Sequence, residues 1–331
     1  MSGDRRDVRQ DPALGMVGAF RPLRKGPRGK LDVQMEWGDT TIRWRGPDQL
    51  GIVEQSVLLA VLEVAMEQLR GDQHTLLVKS DDALWSLLGH QKHVFRPDIM
   101  RILTSFRRLS LLCGKGDSGA ELNLVRDALR RLAETTVWVS CRGKEGSSHL
   151  LGWQVSDEQQ VVLVLNWRLT QALQGEQYAR ISMQERSQLA SEPAKALHAV
   201  LSCKVNVGKA WNCTLDHLQP YVWGDTETQG ANRRKRHGRL RAVLDEIARL
   251  PGWTARVVEQ NVRVARGSAS AEWKRTLRDG GSRSSGPVVS VTPRRNGHET
   301  PDFQARTEEL KPSNDVGFQL VDVSVLISLK R

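Results

Sequence analysis

The chain has 331 residues, and its 49 lysines and arginines outnumber its 38 aspartates and glutamates to give a formal net charge of +11. This length predicts about two domains, and an apolar fraction of 39% supports packed cores but argues against a membrane protein. The positive balance favours an anionic partner, which can be nucleic acid, anionic lipid or an acidic protein.

The cysteines and the apolar runs indicate the compartment. The four cysteines are scattered and form no C-x-x-C pair, which is typical of a reduced, cytoplasmic protein. The N-terminal "MSGDRRDVRQDPALG" lacks the apolar region of a secretory signal. The longest apolar run, "SVLLAVLEVAM", contains Glu63 and is too short to span a bilayer. We therefore expect a cytoplasmic protein and no membrane partner.

The first half begins with a basic arm, residues 1–30, in which we expect little regular structure. A first domain, residues 31–174, starts with a predicted hairpin, "KLDVQMEWGDTTIRWRG", and a strong helix that ends at Gly71. After an ambiguous stretch with a short helix near "DDALWSLLG", a short helix, "SFRRLSLLCG", precedes a longer one from the N-cap Ser118 to Ala133. The segments "TTVWVSCR" and "HLLGWQV" are predicted strands around the turn "GKEGSS", and "VVLVLNW" is a third strand.

The second half, residues 175–266, has the same plan. A short helix, "CTLDHLQPYVWG", and a loop, "DTETQG", precede a helix over 232–250 with Asn232 as the expected N-cap. The segments "WTARVV" and "VRVAR" flank a tight turn at Glu259–Asn261. Residues 267–331 are rich in Gly, Ser, Pro and Arg, which predicts a disordered tail. Its last stretch, "VGFQLVDVSVLISLK", could dock on a partner or have no particular role.

The two halves align at one fixed spacing. The matched pairs are Val125 with Leu240, Arg126 with Arg241, Leu129 with Leu244, Leu132 with Ile247, Ala133 with Ala248 and Trp138 with Trp253. Helix, turn, helix and hairpin in succession are the plan of a winged helix. We therefore predict an α+β protein with two tandem winged-helix domains, a basic N-terminal arm and a disordered C-terminal tail.

The segment "ANRRKRHGRLRAVLDEIARL" carries the strongest functional signal. At about 100° per residue, Leu240, Leu244 and Ile247 share one buried face, whereas Arg234, Lys235 and Arg241 point away from it. Cations at a helix N-terminus oppose the helix dipole, so a run of them there suggests phosphate as the missing counter-charge. A solvated run partly neutralised by Asp225 and Glu227 is the alternative.

The candidate DNA-binding residues follow from this placement. In the second domain they are Arg233, Arg234, Lys235, Arg236, Gly238, Arg239 and Arg241 on the helix, and Arg256 and Arg263 on the wing. In the first domain they are Asn123, Arg126, Arg130 and Arg131 on the second helix, and Arg142 and Lys144 on the wing. Arginine can read guanine by bidentate hydrogen bonds in the major groove.

Enzyme signatures are weak. The segment "VNVGKAW" fails the phosphate-binding pattern G-x-x-x-x-G-K-[ST]. His90, His93 and Asp98 could ligate a metal, and Tyr178 and Tyr221 are the only tyrosines available to a DNA-nicking enzyme. We expect no catalytic residue, no cofactor and no metal.

Several segments in order, among them "FRPLRKGPRGKLDV", "GPDQLG", "YARISMQE", "GKAWNCTLDHLQPYVWG" and "RRKRHGRLRAVLDEI", resemble the RepC replication initiators of IncQ-type plasmids. The resemblance covers about residues 7–266. It implies two winged-helix domains, binding to double-stranded DNA at directly repeated origin sequences (iterons), opening of adjacent AT-rich DNA and recruitment of plasmid-encoded helicase and primase. It implies no catalytic activity, and it implies a bacterial cytoplasmic protein associated with the nucleoid or a plasmid. The sequence leaves open whether the protein acts as a monomer or a homodimer. The tail after Arg266 departs from the family's pattern.

Three other functions fit parts of the sequence. A transcriptional repressor without origin function would use the same DNA-binding helices. A nickase or relaxase would use His90, His93 and a tyrosine. A basic membrane-surface protein would need an amphipathic helix that carries both bulky apolar anchors and an exposed basic face along its whole length, and no helix of the sequence has both.

Overall fold

The computed structural model describes residues 6–16, 18–24, 26–37, 39–71, 77–78, 84, 86–88, 99–141, 144–156 and 160–267. Most of the helix predicted near "DDALWSLLG", the residues His90, His93 and Asp98, and the predicted tail beyond Gly267 lie outside these residues. The described part is a mixed α+β structure, as the sequence predicts. Both of its halves belong to one compact unit, Met1–Glu272.

The first half contains helices of different length around two four-stranded sheets. Its elements are β1 (Asp7–Gln10), α1 (Pro12–Met16), β2 (Leu31–Trp37), β3 (Thr40–Gly46), α2 (Ile52–Gly71), β4 (Leu77–Val78), β5 (Ile99–Thr104), α3 (Phe106–Leu112), α4 (Gly119–Ala133), β6 (Thr136–Cys141), β7 (Lys144–His149), β8 (Leu151–Val155), β9 (Val161–Leu165) and α5 (Trp167–Gln174). The strand orders are β2-β3-β6-β7 and β4-β5-β9-β8, with every pair antiparallel.

The second half is smaller and is built around one three-stranded sheet. Its elements are β10 (Ala179–Ser182), α6 (Met183–Ser187), α7 (Glu192–Lys204), β11 (Ala210–Thr214), α8 (Leu215–Trp223), α9 (Gly230–Ala248), β12 (Trp253–Val258) and β13 (Asn261–Arg266). The strand order is β11-β13-β12. Gly224 ends α8 because it adopts the left-handed conformation, with φ 85°, that side chains with a β-carbon avoid.

The two halves share one arrangement of helices and strands. In the second half, α7 is followed by β11, the helix pair α8–α9 and the hairpin β12–β13. In the first half, α2 is followed by β5, the helix pair α3–α4 and the hairpin β8–β9, and β9 again lies between β5 and β8. This is the order of a winged helix, whose second paired helix presents an exposed face beside the hairpin.

The hairpin of the first half differs from the sequence prediction. The residues after α4 form β6 and β7, which extend the sheet of β2 and β3, whereas the strand that follows α4 in the winged-helix order is β8, paired with β9. The segment "GKEGSS", predicted as a turn, is largely strand β7. The match of Trp138 with Trp253 was therefore wrong: Trp138 is 43% exposed on β6, and Trp253 is buried in the second core. An extra hairpin, β6–β7, is inserted after α4 in the first half. One fixed spacing between the two halves therefore cannot align the residues beyond that helix.

The N-terminal arm was also predicted wrongly over its described residues. Residues 7–10 form β1, which pairs with β10 of the second half, and residues 12–16 form α1. Val8, Leu14 and Phe20 are buried in the first core. The segment's Arg, Pro and Gly content concealed these apolar residues.

Each half has its own core. The first includes Trp44, Leu58 and Leu129, and the second includes Leu218, Leu244 and Trp253. A buried helix α2 crosses the first core, which agrees with its predicted apolar character.

The predicted N-cap of α4, Ser118, is confirmed. Its side chain accepts a hydrogen bond from the amide of Glu121, and the Glu121 side chain bonds back to the Ser118 amide in a capping box. These interactions fix the start of α4.

Candidate nucleic-acid interface

The basic helix α9 begins at Gly230, two residues before the predicted start. Its N-cap is Gln229, whose side chain makes no capping hydrogen bond, so the prediction of Asn232 as the N-cap was wrong. Gly230 has a φ of 64°, which only glycine adopts without strain, and this lets the chain turn into the helix early. The side chains around this start are exposed. Uncapped amides at an exposed helix start can bind an anion.

The apolar face of α9 lies where its helical spacing predicts. Leu240, Leu244 and Ile247 are fully buried, and Val243 is 4% exposed. His237 is also buried on this side of the helix. One face of α9 therefore packs on the core, and the opposite face is free for a partner.

Arg233, one of the candidate DNA-binding residues, is held by hydrogen bonds within the protein. Its Nη2 donates to Oδ2 of Asp216 at 2.6 Å and to Oε1 of Gln260 at 2.9 Å. Nε2 of His237 lies 2.7 Å from the other oxygen of Asp216. The hydrogen bond from Arg233, joined by the one to His237, lowers the pKa of Asp216 to about 2. Asp216 thus anchors the start of α9 to the first turn of α8.

Arg236 is likewise paired with a carboxylate. Its Nη1 donates to Oδ1 of Asp225 at 3.0 Å, and its guanidinium lies 5.3 Å from the centre of the Trp223 ring. Two of the six cations at this helix start are thus neutralised within the protein. The expectation that DNA supplies all the counter-charge was wrong for Arg233 and Arg236, which pair with Asp216 in the first turn of α8 and with Asp225 just after that helix. The alternative, partial neutralisation within the chain, is confirmed for Asp225.

The remaining cations of α9 form an exposed stripe, which we call the basic stripe: Arg234, Lys235, Arg239 and Arg241. No acidic side chain in the described part of the chain pairs with any of them. Arg241 donates to the backbone carbonyl of Glu259, at the turn between β12 and β13, at 2.6 Å. Gly238 lies within the stripe, and a β-carbon there would meet nothing within 4 Å. The stripe therefore offers a positive surface that a polyanion can approach closely.

The wing of the second half carries two more cations. Arg256 on β12 and Arg263 on β13 are cross-strand partners, and both are exposed. Asn212 on β11 is the partner of Arg263 on its other side, so the three polar side chains form a row across the outer face of the sheet. Like charges directly opposite each other destabilise a sheet, so an anion placed on this row would relieve the repulsion.

The candidate DNA-binding residues of the first half carry less unpaired positive charge than those of α9. Arg126 lies over the Phe106 ring at 4.7 Å, with a 3.4 Å hydrogen bond to Asn123, and Arg130 is 3.5 Å from Asp127. Arg131 is a structural residue, since its Nε donates to the buried carboxylate of Glu54 at 2.8 Å. Arg142 and the side chain of Lys144 lie outside the described residues. This helix therefore offers less free positive charge than α9.

Sequence reasoning missed Asp216 and Asn212. Asp216 lies in the first turn of a helix, a position that acids favour for the helix dipole alone, so nothing local indicates its contact with α9. Asn212 precedes the α8 segment, and strand β11 was not predicted. Alternation of apolar and polar residues over "AWNCT" was the available signal.

The described residues contain no group of three or more histidines, cysteines and carboxylates able to hold a metal ion. Within them, no helix has the length and apolar character needed to cross a bilayer.

Comparisons with known proteins identify a family. The family described as Replication protein C (RepC) matches residues 3–267. A structure of domains 2 and 3 of RctB, as a selenomethionine derivative, is similar with a TM-score of 0.49 at 12% identity, covering 77% of this chain and 98% of that one. A second structure of RctB domains 2-3 has a TM-score of 0.47 at 12% identity, covering 79% and 99%. No curated sequence matches significantly.

Proposed function

Because the chain belongs to the RepC replication protein family, we propose that it is a plasmid replication initiator that binds directly repeated origin sequences, the iterons, through its helix-turn-helix units. The basic stripe on α9 is the observation that carries this proposal. Four cations share one exposed face without an acidic partner among the described residues, at the helix that enters the major groove in winged-helix proteins. Phosphates and guanine edges are the partners such a face fits.

The two halves contribute unequally in this proposal. The second half supplies most of the contacts, through the basic stripe and through Arg256 and Arg263 on its wing. The first half adds Arg126, which lies over the Phe106 ring, and Arg130, whose charge is offset by Asp127. Two such units on one face of a duplex would cover about two helical turns of a non-palindromic site.

Opening of adjacent AT-rich DNA, and recruitment of plasmid-encoded helicase and primase, complete the proposed role. They follow from the family resemblance, and we assign no residues to them. The protein itself performs no catalytic step and needs no cofactor in this proposal. Whether it acts as a monomer or a homodimer is an outcome of the binding experiment.

A footprint on a duplex carrying the plasmid's own direct repeats tests the proposal. We expect protection of about two helical turns per repeat and an affinity that falls steeply with salt. A footprint of about ten base pairs, or a preference for a palindrome, would contradict it. Maintenance of an origin plasmid by the protein supplied in trans separates an initiator from a repressor.

The absence of catalysis has its own test. The protein is incubated with supercoiled origin plasmid and a divalent metal. We expect the plasmid to remain supercoiled and free of covalently attached protein. Relaxed or protein-linked plasmid would identify a nickase instead.

A further inference from the structure

The described N-terminal residues, 6–16 and 18–24, run across both halves of the protein, and we call them the N-terminal strap. Ion pairs, hydrogen bonds and ring packing hold the strap on the first half. Nη2 of Arg6 donates to Oε2 of Glu63 at 2.9 Å. The buried carboxylate of Asp11 is 2.7 Å from Nη2 of Arg168, and the Phe20 ring packs edge-on against Trp44 with centroids 5.7 Å apart.

The same strap packs on the second half at close range. Gly15 of α1 lies against α7, where a β-carbon would collide with the sulfur of Cys203. Gly18, with a φ of 68°, passes the backbone of α8, and a β-carbon there would lie 3.4 Å from the Pro220 carbonyl. Only glycine permits this approach and this conformation together. The strap therefore packs closely against α7 and α8, the first two helices of the second winged helix.

Arg21 ends this run of contacts at the turn of the second helix-turn-helix. Its guanidinium lies directly on Gly224, the residue that ends α8, where a β-carbon would overlap it. Burial lowers the pKa of Arg21, and the charge of Asp225 opposes that shift. Asp225 in turn accepts from Arg236 at 3.0 Å. A continuous set of contacts thus leads from the strap to the first turns of α9.

We propose that the N-terminal strap fixes the second winged helix on the first half, and that Arg21 is a positioning residue for the DNA-binding end of α9. Arg21 acts through Gly224 and Asp225 and does not contact DNA. This inference rests on the proposed function, in which α9 binds the origin repeats. Because Arg21 packs against the turn that precedes α9, the strap then sets the orientation in which the basic stripe meets the duplex.

The test compares Arg21→Gln with Arg24→Gln in the full-length chain. Arg24 is an exposed arginine of the same strap and has no ion-pair partner among the described residues, so it controls for the lost charge. We expect Arg21→Gln to weaken binding to a duplex with two repeats by roughly 2- to 30-fold. Its dependence of log affinity on log salt should keep the wild-type slope, because no phosphate contact is lost. Arg24→Gln should bind as the wild type does, and Arg21→Lys should recover part of the affinity.

Three binding results would overturn the inference. One is wild-type affinity in Arg21→Gln, and another is equal weakening by Arg24→Gln. The third is a slope reduced by about 1 in Arg21→Gln, which would indicate that Arg21 itself binds a phosphate.

Hydrogen exchange in the DNA-free protein separates this inference from the proposed function. Arg21→Gln should speed exchange at the amides of residues 224–229 while leaving α2 unchanged. Unchanged exchange at that turn also overturns the inference. If the wild type ignores repeat-containing duplex, the proposed function fails, and the exchange result still decides whether Arg21 holds the turn.

Discussion

Asp216 and Arg233 join the two helices of the second helix-turn-helix, with Nη2 of the arginine 2.6 Å from Oδ2 of the carboxylate. The pKa of Asp216 is lowered to about 2 from an ordinary value of 3.8. A lowered pKa in the folded state means that the ionised carboxylate stabilises the fold above pH 4. That contribution is lost as the pH falls from about 4 to about 2.

We therefore expect Asp216→Asn to lower the free energy of unfolding at pH 7 by about 1 kcal/mol, a modest value because solvent screens this partly exposed pair. The difference between wild type and variant should shrink as the pH falls towards 2. Urea unfolding at pH 7, 4 and 2.5 measures it. A difference that does not change with pH would show that Asp216 has an ordinary pKa.

Removing two cations of the basic stripe should separate binding from stability. Arg234→Ala combined with Lys235→Ala should weaken binding to origin repeats and reduce the slope of log affinity against log salt by about 2. The melting temperature should stay equal or rise slightly, since both cations oppose the helix dipole. Binding titrations at several salt concentrations and a thermal melt make the measurement.

Arg249→Ala is the matched control, because Arg249 is exposed just beyond the other end of the same helix. It should leave both affinity and slope near the wild-type values. A large loss of stability in the double variant would instead mark Arg234 and Lys235 as structural residues.

The apolar face of α9 could be predicted because helical periodicity is a local property of the sequence. Asp225 could be named as a partner for the basic run because it lies a few residues upstream, and it pairs with Arg236. Asp216 could not, since it lies in the first turn of α8 and reaches Arg233 only because the turn after α8 brings the two helices together. The extra hairpin β6–β7 broke the fixed spacing between the halves for a related reason. Its strands satisfy the same alternation as a wing, and only the pairing with β3 distinguishes them. Residue patterns within one helix or strand therefore predicted its buried face, whereas they did not predict which elements pair with each other.

The wing pair Arg256 and Arg263 should show opposite effects on stability and binding. Replacing Arg256 by alanine removes the repulsion across the ladder, so the protein should become slightly more stable at low salt. That gain should disappear at high salt, where the two charges are screened. Affinity for origin DNA should fall at the same time. Thermal melts in low and high salt, with Thr254→Ala as an uncharged control on the same strand face, test this expectation.

The first half should contribute less to DNA affinity than the second. Arg126 is held over the Phe106 ring and Arg130 lies beside Asp127, so fewer free charges face a duplex. Arg126→Ala with Arg130→Ala should reduce affinity less than the double change at Arg234 and Lys235. Equal losses, measured under identical salt, would show that both helices bind with similar strength.

Leu244 is a fully buried residue of α9 and belongs to the second core. Leu244→Ala leaves a cavity there, and we expect it to lower the free energy of unfolding by about 2–5 kcal/mol. Asp245→Ala changes the adjacent exposed residue and should shift it by less than about 0.5 kcal/mol. Urea unfolding followed by tryptophan fluorescence reports the change, since Trp253 lies in the same core. A cost near that of Asp245→Ala would mean that this face of α9 does not pack as the structure shows.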